Sequence, residues 1–418
     1  MARRGGLRER LAELSTTRSA RTVAGSRPLS PVAAERRAGV AVREQAFLLE
    51  SRRWLAELRT ADPCGARLIS NLTFEISNIS DWIFLDVETT GLSGGTGTYA
   101  FLVGVGRLAP EGFCVRQYFL RDLAAERELL GQLAAALEGD KLLVTYNGKQ
   151  FDAPLLDTRY RLARMPCPLE PLPHLDLLYP ARRLWKLRFG SARLGELERA
   201  LLGHKRETDV PGELIPHLYF DFLRRGDERR LEAVFRHNAD DLLTLAALAA
   251  RLLALAAAPE EEYEDSQELV GVARWFEHAE EPERAARLYE QALADHLPEE
   301  SARAARLRLS LLYKRRREYE GAAALWKELS DGRSPADRIA LVALEQLAIC
   351  YEHRLDDPPR AAEATRSALS RFTPAAGAAG LNSKWGERFD YRLRRLTRKL
   401  PELYADKNIC ATGGQSSQ

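Results

Sequence analysis

Two carboxylates end a short apolar run, Ile83-Phe-Leu-Asp86-Val-Glu88-Thr-Thr-Gly91. In an extended chain residues i and i+2 share a face, so Asp86 and Glu88 point the same way. Residues 82–85 are apolar on both sides, which predicts a central, buried strand. Two like charges at its carboxyl end repel each other and call for a compensating cation. That end is also where open sheets place ligands.

A second acid follows the next apolar run, in Val144-Thr-Tyr-Asn147-Gly-Lys-Gln-Phe151-Asp152-Ala-Pro154. Asp152 sits just ahead of a predicted helix, and a capping aspartate is its plain alternative. The third group is Phe235-Arg-His237-Asn238-Ala-Asp240-Asp241. Leu231, Val234, Asn238, Asp241 and Leu245 follow three-and-four helical spacing. Asp241 therefore lies on the stripe that should face a sheet, with His237 one turn earlier. Asp240 turns outward with Arg236 and Thr244. A carboxylate and an imidazole on a core-facing stripe are costly unless paired or metal-bound. Asp241 rather than Asp240 is thus the expected functional acid.

Asp86, Glu88, Asp152 and Asp241 make an all-oxygen set, which suits Mg²⁺ or Mn²⁺ rather than zinc. Two such ions about 3.5–4 Å apart can clamp the attacking and leaving oxygens of a phosphodiester. His237, with an ordinary pKa near neutrality, is the candidate to orient or deprotonate the attacking water. The expected catalytic set is Asp86, Glu88, Asp152, His237 and Asp241.

The elements that must position these groups are legible as patterns. Strand-like runs cover 82–87, 98–107 and 113–120, with Gly104, Gly106 and Gly112 read as hairpin punctuation. A helix over 124–137, an apolar run over 141–146 and a helix to about 163 follow. A long helix over 228–257 closes the unit. This order predicts an α/β fold, a mixed sheet with flanking helices. Upstream, residues 42–58 read as an amphipathic helix in an arginine-rich arm. The first sixty residues carry thirteen Arg against six Glu. Downstream the pattern is all-helical and repeats. Ala285, Ala322 and Ala361 recur in similar helices at intervals of 37 and 39 residues. Paired helices with a small residue at the crossing are the tetratricopeptide pattern, nominally about 34 residues. The expected layout is an arm over 1–75, an α/β domain over 76–258, and an acidic linker over 259–266. Helical repeats over 267–405 and a tail over 406–418 complete it.

The three acidic stretches, in this order on strand, post-strand turn and helix, resemble the motifs of the DEDD (DnaQ-like) 3′–5′ exonucleases, which have an RNase H-like fold. Asp86-Val-Glu-Thr-Thr-Gly91 is similar to the first motif, Asn147-Gly-Lys-Gln-Phe-Asp152 to the second and His237-x-x-x-Asp241 to the third. Gly94-Gly-Thr-Gly-Thr-Tyr-Ala-Phe-Leu-Val-Gly104, Leu175-Asp-Leu-Leu, Arg182-Arg-Leu-Trp185, Asp209-Val-Pro-Gly-Glu-Leu-Ile-Pro216 and the trailing repeats narrow the resemblance to the YprB-like branch. It implies two-metal hydrolysis that releases nucleotides from the 3′ end of a single-stranded nucleic acid. It also implies that the backbone at Thr90, Gly91 and Leu92 approaches the terminal nucleotide, with Asn147 and Phe151 against the last bases or sugar. In the histidine subclass four residues separate His from Asp. Here three do, the spacing of the tyrosine subclass, so His237 stands where a tyrosine is common.

Two rival readings stay open. One is a non-catalytic helical-repeat scaffold with a vestigial nuclease fold, and the other a structure-specific endonuclease on the same fold. The repeats could also take a protein partner. The chain has 418 residues, a formal net charge of +2, 45% hydrophobic and 29% charged residues. This is globular composition, with material for two or three domains at roughly 100–200 residues each. Near-neutral balance excludes binding nucleic acid through bulk charge. Five scattered cysteines without C-x-x-C argue against a disulfide framework. With no secretory or membrane-spanning pattern evident, the expectation is a soluble cytoplasmic protein with no membrane partner. Gly91-Leu-Ser-Gly-Gly-Thr-Gly97 lacks the Gly-Lys-Ser/Thr of a phosphate loop.

Overall fold

A computed structural model of the chain describes residues 39–48, 53–70, 78–91, 95–139, 141–204, 206, 209–258, 265–331, 337–372 and 385–398. Leu92, most of the arm (1–38), the linker core (259–264) and the tail (406–418) lie outside them. The chain divides into two compact units, Met1–Pro259 and Glu260–Gln418.

The first unit is built on one mixed sheet. Its strands are β1 (Val40–Leu48), β2 (Trp82–Thr89), β3 (Ala100–Ala109), β4 (Gly112–Leu120), β5 (Leu142–Thr145) and β6 (His174–Asp176), in the order β1-β4-β3-β2-β5-β6. The β1/β4, β4/β3 and β3/β2 pairs are antiparallel, whereas β2/β5 and β5/β6 are parallel. Parallel pairing puts the carboxyl ends of β2 and β5 on the same edge of the sheet. Residues 82–85 are buried on both faces, as their unbroken apolar run predicts. The pairing of β2 with β3 shifts between Glu88 and Thr89, an irregularity that re-aims the strand end just past the acids.

The helices of this unit are α1 (Arg53–Thr60), α2 (Gly65–Ile69), α3 (Glu126–Ala136), α4 (Asp152–Leu162), α5 (Leu178–Phe189), α6 (Leu194–Leu202), α7 (Ile215–Arg225) and α8 (Glu232–Ala257). The α8 helix packs on β2, β3 and β4. Its stripe Leu231, Val234, Asn238 and Leu245 is fully buried. A 3₁₀ turn over Glu228–Leu231 precedes it, so the α-helix proper starts later than the 228 expected.

The expected helix over 42–58 is wrong. Residues Val40–Leu48 are an edge strand, and α1 starts only at Arg53. Val40 pairs with Leu120 and Glu44 with Arg116, whose Nη2 donates to Glu44 Oε2 at 2.7 Å. The charges that suggested a helix face are a cross-strand pair, and pairing 72 residues apart leaves no mark in local periodicity. Gly104 and Gly106 lie inside β3 rather than at turns. His174 and Asp176 are the ends of the short strand β6.

The second unit is helical throughout its described residues. It comprises α9 (Ser266–His278), α10 (Pro282–Ala294), α11 (Glu299–Arg315), α12 (Tyr319–Ser330), α13 (Arg338–His353), α14 (Pro358–Leu369) and a helix over 385–398. From α9 to α14 each helix packs on the next. Asp265 caps α9 by accepting from Gln267 N and Glu268 N, so this helix begins within the stretch read as linker. Ala285, Ala322 and Ala361 are all fully buried. No described helix is long and apolar enough to cross a membrane.

Candidate active site

Four acids from three elements face one another at the shared carboxyl edge of β2 and β5. Asp86 and Glu88 leave β2, Asp152 opens α4, and Asp241 comes from the covering helix α8. Asp86 Oδ2 accepts from Asn238 Nδ2 at 2.7 Å. The α4 N-cap position is taken by Phe151. Asp152 is therefore the first helical residue, and the plain capping alternative does not hold.

The turn that delivers Asp152 is built by Asp176. This buried acid accepts from the backbone nitrogens of Asn147 at 2.7 Å, Lys149 at 3.0 Å and Leu178 at 3.1 Å. Asn147 adopts φ 68°, the left-handed region that Asn tolerates. Gly148 is required because a Cβ there would lie 2.5 Å from Thr145 Cβ. Asp176 thus acts on the turn. His174, 2.7 Å from Thr145 Oγ1, is pushed down to about 4 by burial.

His237 is held on both nitrogens. Nδ1 lies 2.6 Å from Asp209 Oδ1, while Nε2 faces Glu88 Oε1 at 3.7 Å and Asp241 Oδ2 at 3.5 Å. Arg206 completes the cluster. Its Nη2 donates to Asp241 Oδ1 at 2.6 Å and its Nε to Glu198 Oε2 at 2.8 Å. Arg206, Asp209 and Glu198 were missed as functional candidates. Only Asp209 carried a signal, as the first residue of Asp209-Val-Pro-Gly.

The electrostatics follow from burial and crowding. Burial, then the charges of Asp241 and Asp152, hold Asp86 well above the usual carboxylate range. Glu88 is pushed up to about 8 by burial and then by Asp86. Asp152 is pushed up to about 7 by burial, then by Glu88 and Asp176. Burial works to lower His237, but the Asp209 bond and the charges of Asp241 and Glu88 outweigh it and raise the imidazole to about 10. For Asp209 burial works upward, and the bond from His237 with its charge brings the carboxyl below its ordinary value. These surroundings favour the imidazolium form of His237, which orients water but cannot take a proton from it. It becomes a base only when the surrounding negative charge is neutralised.

The candidate substrate contacts divide. Thr90 is engaged within the chain, its N donating to Tyr99 O at 3.0 Å and its Oγ1 accepting from Tyr99 N at 2.9 Å. A Cβ at Gly91 would make only an ordinary contact, 3.6 Å from Thr98 Oγ1. Leu92 lies outside the described residues. Asn147 Oδ1 is buried without a hydrogen-bond partner. Phe151, beside Asp152, is 56% exposed, unusual for a large apolar side chain.

Among the described residues no three His, Cys, Asp or Glu side chains are arranged to hold a metal ion. The cations among the acids are the protein's own, Arg206 on Asp241 and His237 between Glu88 and Asp241. The donor set nevertheless fits a hard divalent ion in its chemistry. All four groups offer carboxylate oxygens, and three are forced up by burial and each other's charge.

A mixed sheet in this order, with acids at the end of its central strand and on its covering helix, defines an RNase H-like α/β domain. Residues 83–253 match RNase_H_2, a family of the RNase H superfamily. Over 327 residues the chain is 35% identical to the uncharacterized protein YprB of Bacillus subtilis (strain 168), covering 77% of this chain and 76% of that protein. The chain belongs to the YprB family.

Proposed function

We propose that the chain is a DEDD-type 3′–5′ exonuclease that hydrolyses the phosphodiester bonds of single-stranded nucleic acid with two bound Mg²⁺ or Mn²⁺ ions. The observation that carries this reading is the mutual charge repulsion among Asp86, Glu88, Asp152 and Asp241. Four half-buried carboxylates turned on one another are a standing cost, and a cation site is the chemistry that offsets it.

In this reading Asp86, Glu88, Asp152 and Asp241 hold the ions. Bound divalent ions would polarise the phosphodiester and favour hydroxide over water. The protein's own groups do the rest. His237, aimed by Asp209, holds the attacking water through Nε2. Its proton becomes labile once Glu88 and Asp241 cease to hold it. Phe151 offers an exposed ring for base stacking, a sequence-tolerant contact worth about 1–3 kcal/mol per base. The three helix pairs with buried alanines at matching positions support tetratricopeptide-like repeats, a surface for a protein partner.

The test is a time course on 5′-labelled single-stranded DNA and RNA with Mn²⁺, comparing wild type with Asp86→Ala. A ladder shortening by single nucleotides from the 3′ end, absent in the variant, is expected. Internal fragments would point to an endonuclease. No product from either strand would favour the scaffold.

A further inference from the structure

Asp86, Gly104 and Gln117 lie in one row across three strands, each the register partner of the next. The middle member has no side chain, and Asn238 fills the place one would take. A Cβ on Gly104 would lie 2.3 Å from Asn238 Oδ1 and 2.8 Å from Leu242 Cδ1. Asn238 is 0% exposed, yet both ends of its amide are bonded. Oδ1 accepts from Gln117 Nε2 at 2.8 Å, and Nδ2 donates to Asp86 Oδ2 at 2.7 Å.

The direction of this chain of bonds is fixed from its far end. Gln117 Nε2 also donates to the Phe235 carbonyl at 2.7 Å. A carbonyl only accepts, so the Gln117 atom between Phe235 and Asn238 must be the amide nitrogen. Asn238 then turns its oxygen to Gln117 and its nitrogen to Asp86. A carboxylate at position 238 would repel Asp86, and an aliphatic side chain would leave Gln117 only its bond to Phe235 and strip Asp86 Oδ2 of its donor.

We propose that the Gln117–Asn238 relay, seated in the space that Gly104 leaves, is a positioning device that fixes the Asp86 carboxylate for a divalent cation. It rests on the reading of the four acids as a cation site. A buried polar network with every member satisfied is rigid. Losing such an outer partner of a metal ligand typically costs about 10–100-fold in metal affinity.

The experiment is a Mn²⁺ titration of the full chain, with free ion read by electron paramagnetic resonance and no substrate present. Asn238→Ala and Gly104→Ala are each expected to raise the Mn²⁺ Kd about 10–100-fold, although neither removes a carboxylate. The double variant should bind no worse than Asn238→Ala alone, because the added methyl then displaces only the end of the Leu242 side chain and no group that touches Asp86. Gln117→Met, near in shape but without a donor, should weaken binding several-fold and serves if either other variant fails to fold. Wild-type Mn²⁺ affinity in folded Asn238→Ala or Gln117→Met overturns the relay, as does a double variant whose loss is the product of the two single losses. A wild type that binds no Mn²⁺ overturns the cation-site reading and the relay's role with it, an outcome distinct from variants that bind normally.

Discussion

Arg206 bridges two acids that lie on different helices. Its Nη2 donates to Asp241 Oδ1 at 2.6 Å and its Nε to Glu198 Oε2 at 2.8 Å. The Arg206 and Glu198 side chains are 8% and 4% exposed, so this is a buried ion pair rather than a surface one. Removing one member leaves a buried charge without its partner. Arg206→Ala is expected to cost about 3–5 kcal/mol, read from urea unfolding curves. Arg206→Lys should recover little, because a compact ammonium cannot reach two acids in diverging directions. Glu198→Gln in the Arg206→Ala background should restore part of the loss. A loss below about 1 kcal/mol, the range of exposed pairs, would mean the bridge does not hold the fold.

The raised acids make the metal-free protein acid-favoured. Glu88 moves from 4.5 to about 8 and Asp152 from 3.8 to about 7 on folding. Over that interval the folded chain holds protons that the unfolded chain has released, so stability falls as pH rises. His237 acts in the same direction. Raised from 6.5 to about 10, it contributes fully below its unfolded value and loses that contribution through the folded one. In the presence of a chelator the thermal midpoint should therefore be higher at about pH 6 than at about pH 8.5. The opposite order would contradict the charge crowding described for the site.

The site was more legible in the sequence than the sheet that carries it. Alternation in Asp86-Val-Glu88 and helical phase at Asp241 are local signals. They led to the same face of β2 and to the buried stripe of α8. Asp152 came with the right turn but the wrong alternative, since Phe151 holds the cap position. The groups that were missed act across distance in the chain. Arg206 and Asp209 reach His237 and Asp241 from a connecting segment, and Gln117 reaches Asn238 from 121 residues away. No spacing rule links such partners. The edge strand β1 was hidden for the same reason, because its identity lies in its register with β4. Gly104 was read as a turn, since a glycine that makes room for an asparagine looks no different in sequence from one that bends a hairpin.

The contact between His237 Nδ1 and Asp209 Oδ1, at 2.6 Å, fixes which imidazole nitrogen faces the acids. A histidine held this way keeps its proton on Nδ1 and turns Nε2 inward. Asp209→Ala should lower kcat about tenfold while leaving KM nearly unchanged. In a His237→Ala background the same change should cost nothing more, because the ring it aims is gone. Asp209→Asn retains an acceptor oxygen and should keep most of the activity. Steady-state kinetics on wild type and these four variants reads this coupling. Equal losses in both backgrounds would make Asp209 a structural residue of its loop.

Asp86 is opposed by its surroundings, through burial first and then the charges of Asp241 and Asp152. Asp86→Asn removes that opposition with almost no change of shape. Asn238 Nδ2 would still find an acceptor in the amide oxygen of the replacement side chain. Relieving a carboxyl that burial and like charges oppose stabilises the fold, so the metal-free variant should gain on the order of 1–2 kcal/mol in urea unfolding. The same substitution removes a cation ligand, so release of nucleotides should fall to background. The pair of outcomes is diagnostic. An acid kept for packing would destabilise the chain when replaced, whereas one kept for chemistry stabilises it and abolishes turnover. Added Mn²⁺ should raise the thermal midpoint of wild type and leave that of Asp86→Asn nearly unmoved, since ligand binding to the folded state is what supplies the increment. An equal Mn²⁺ shift in both chains would place the ion elsewhere.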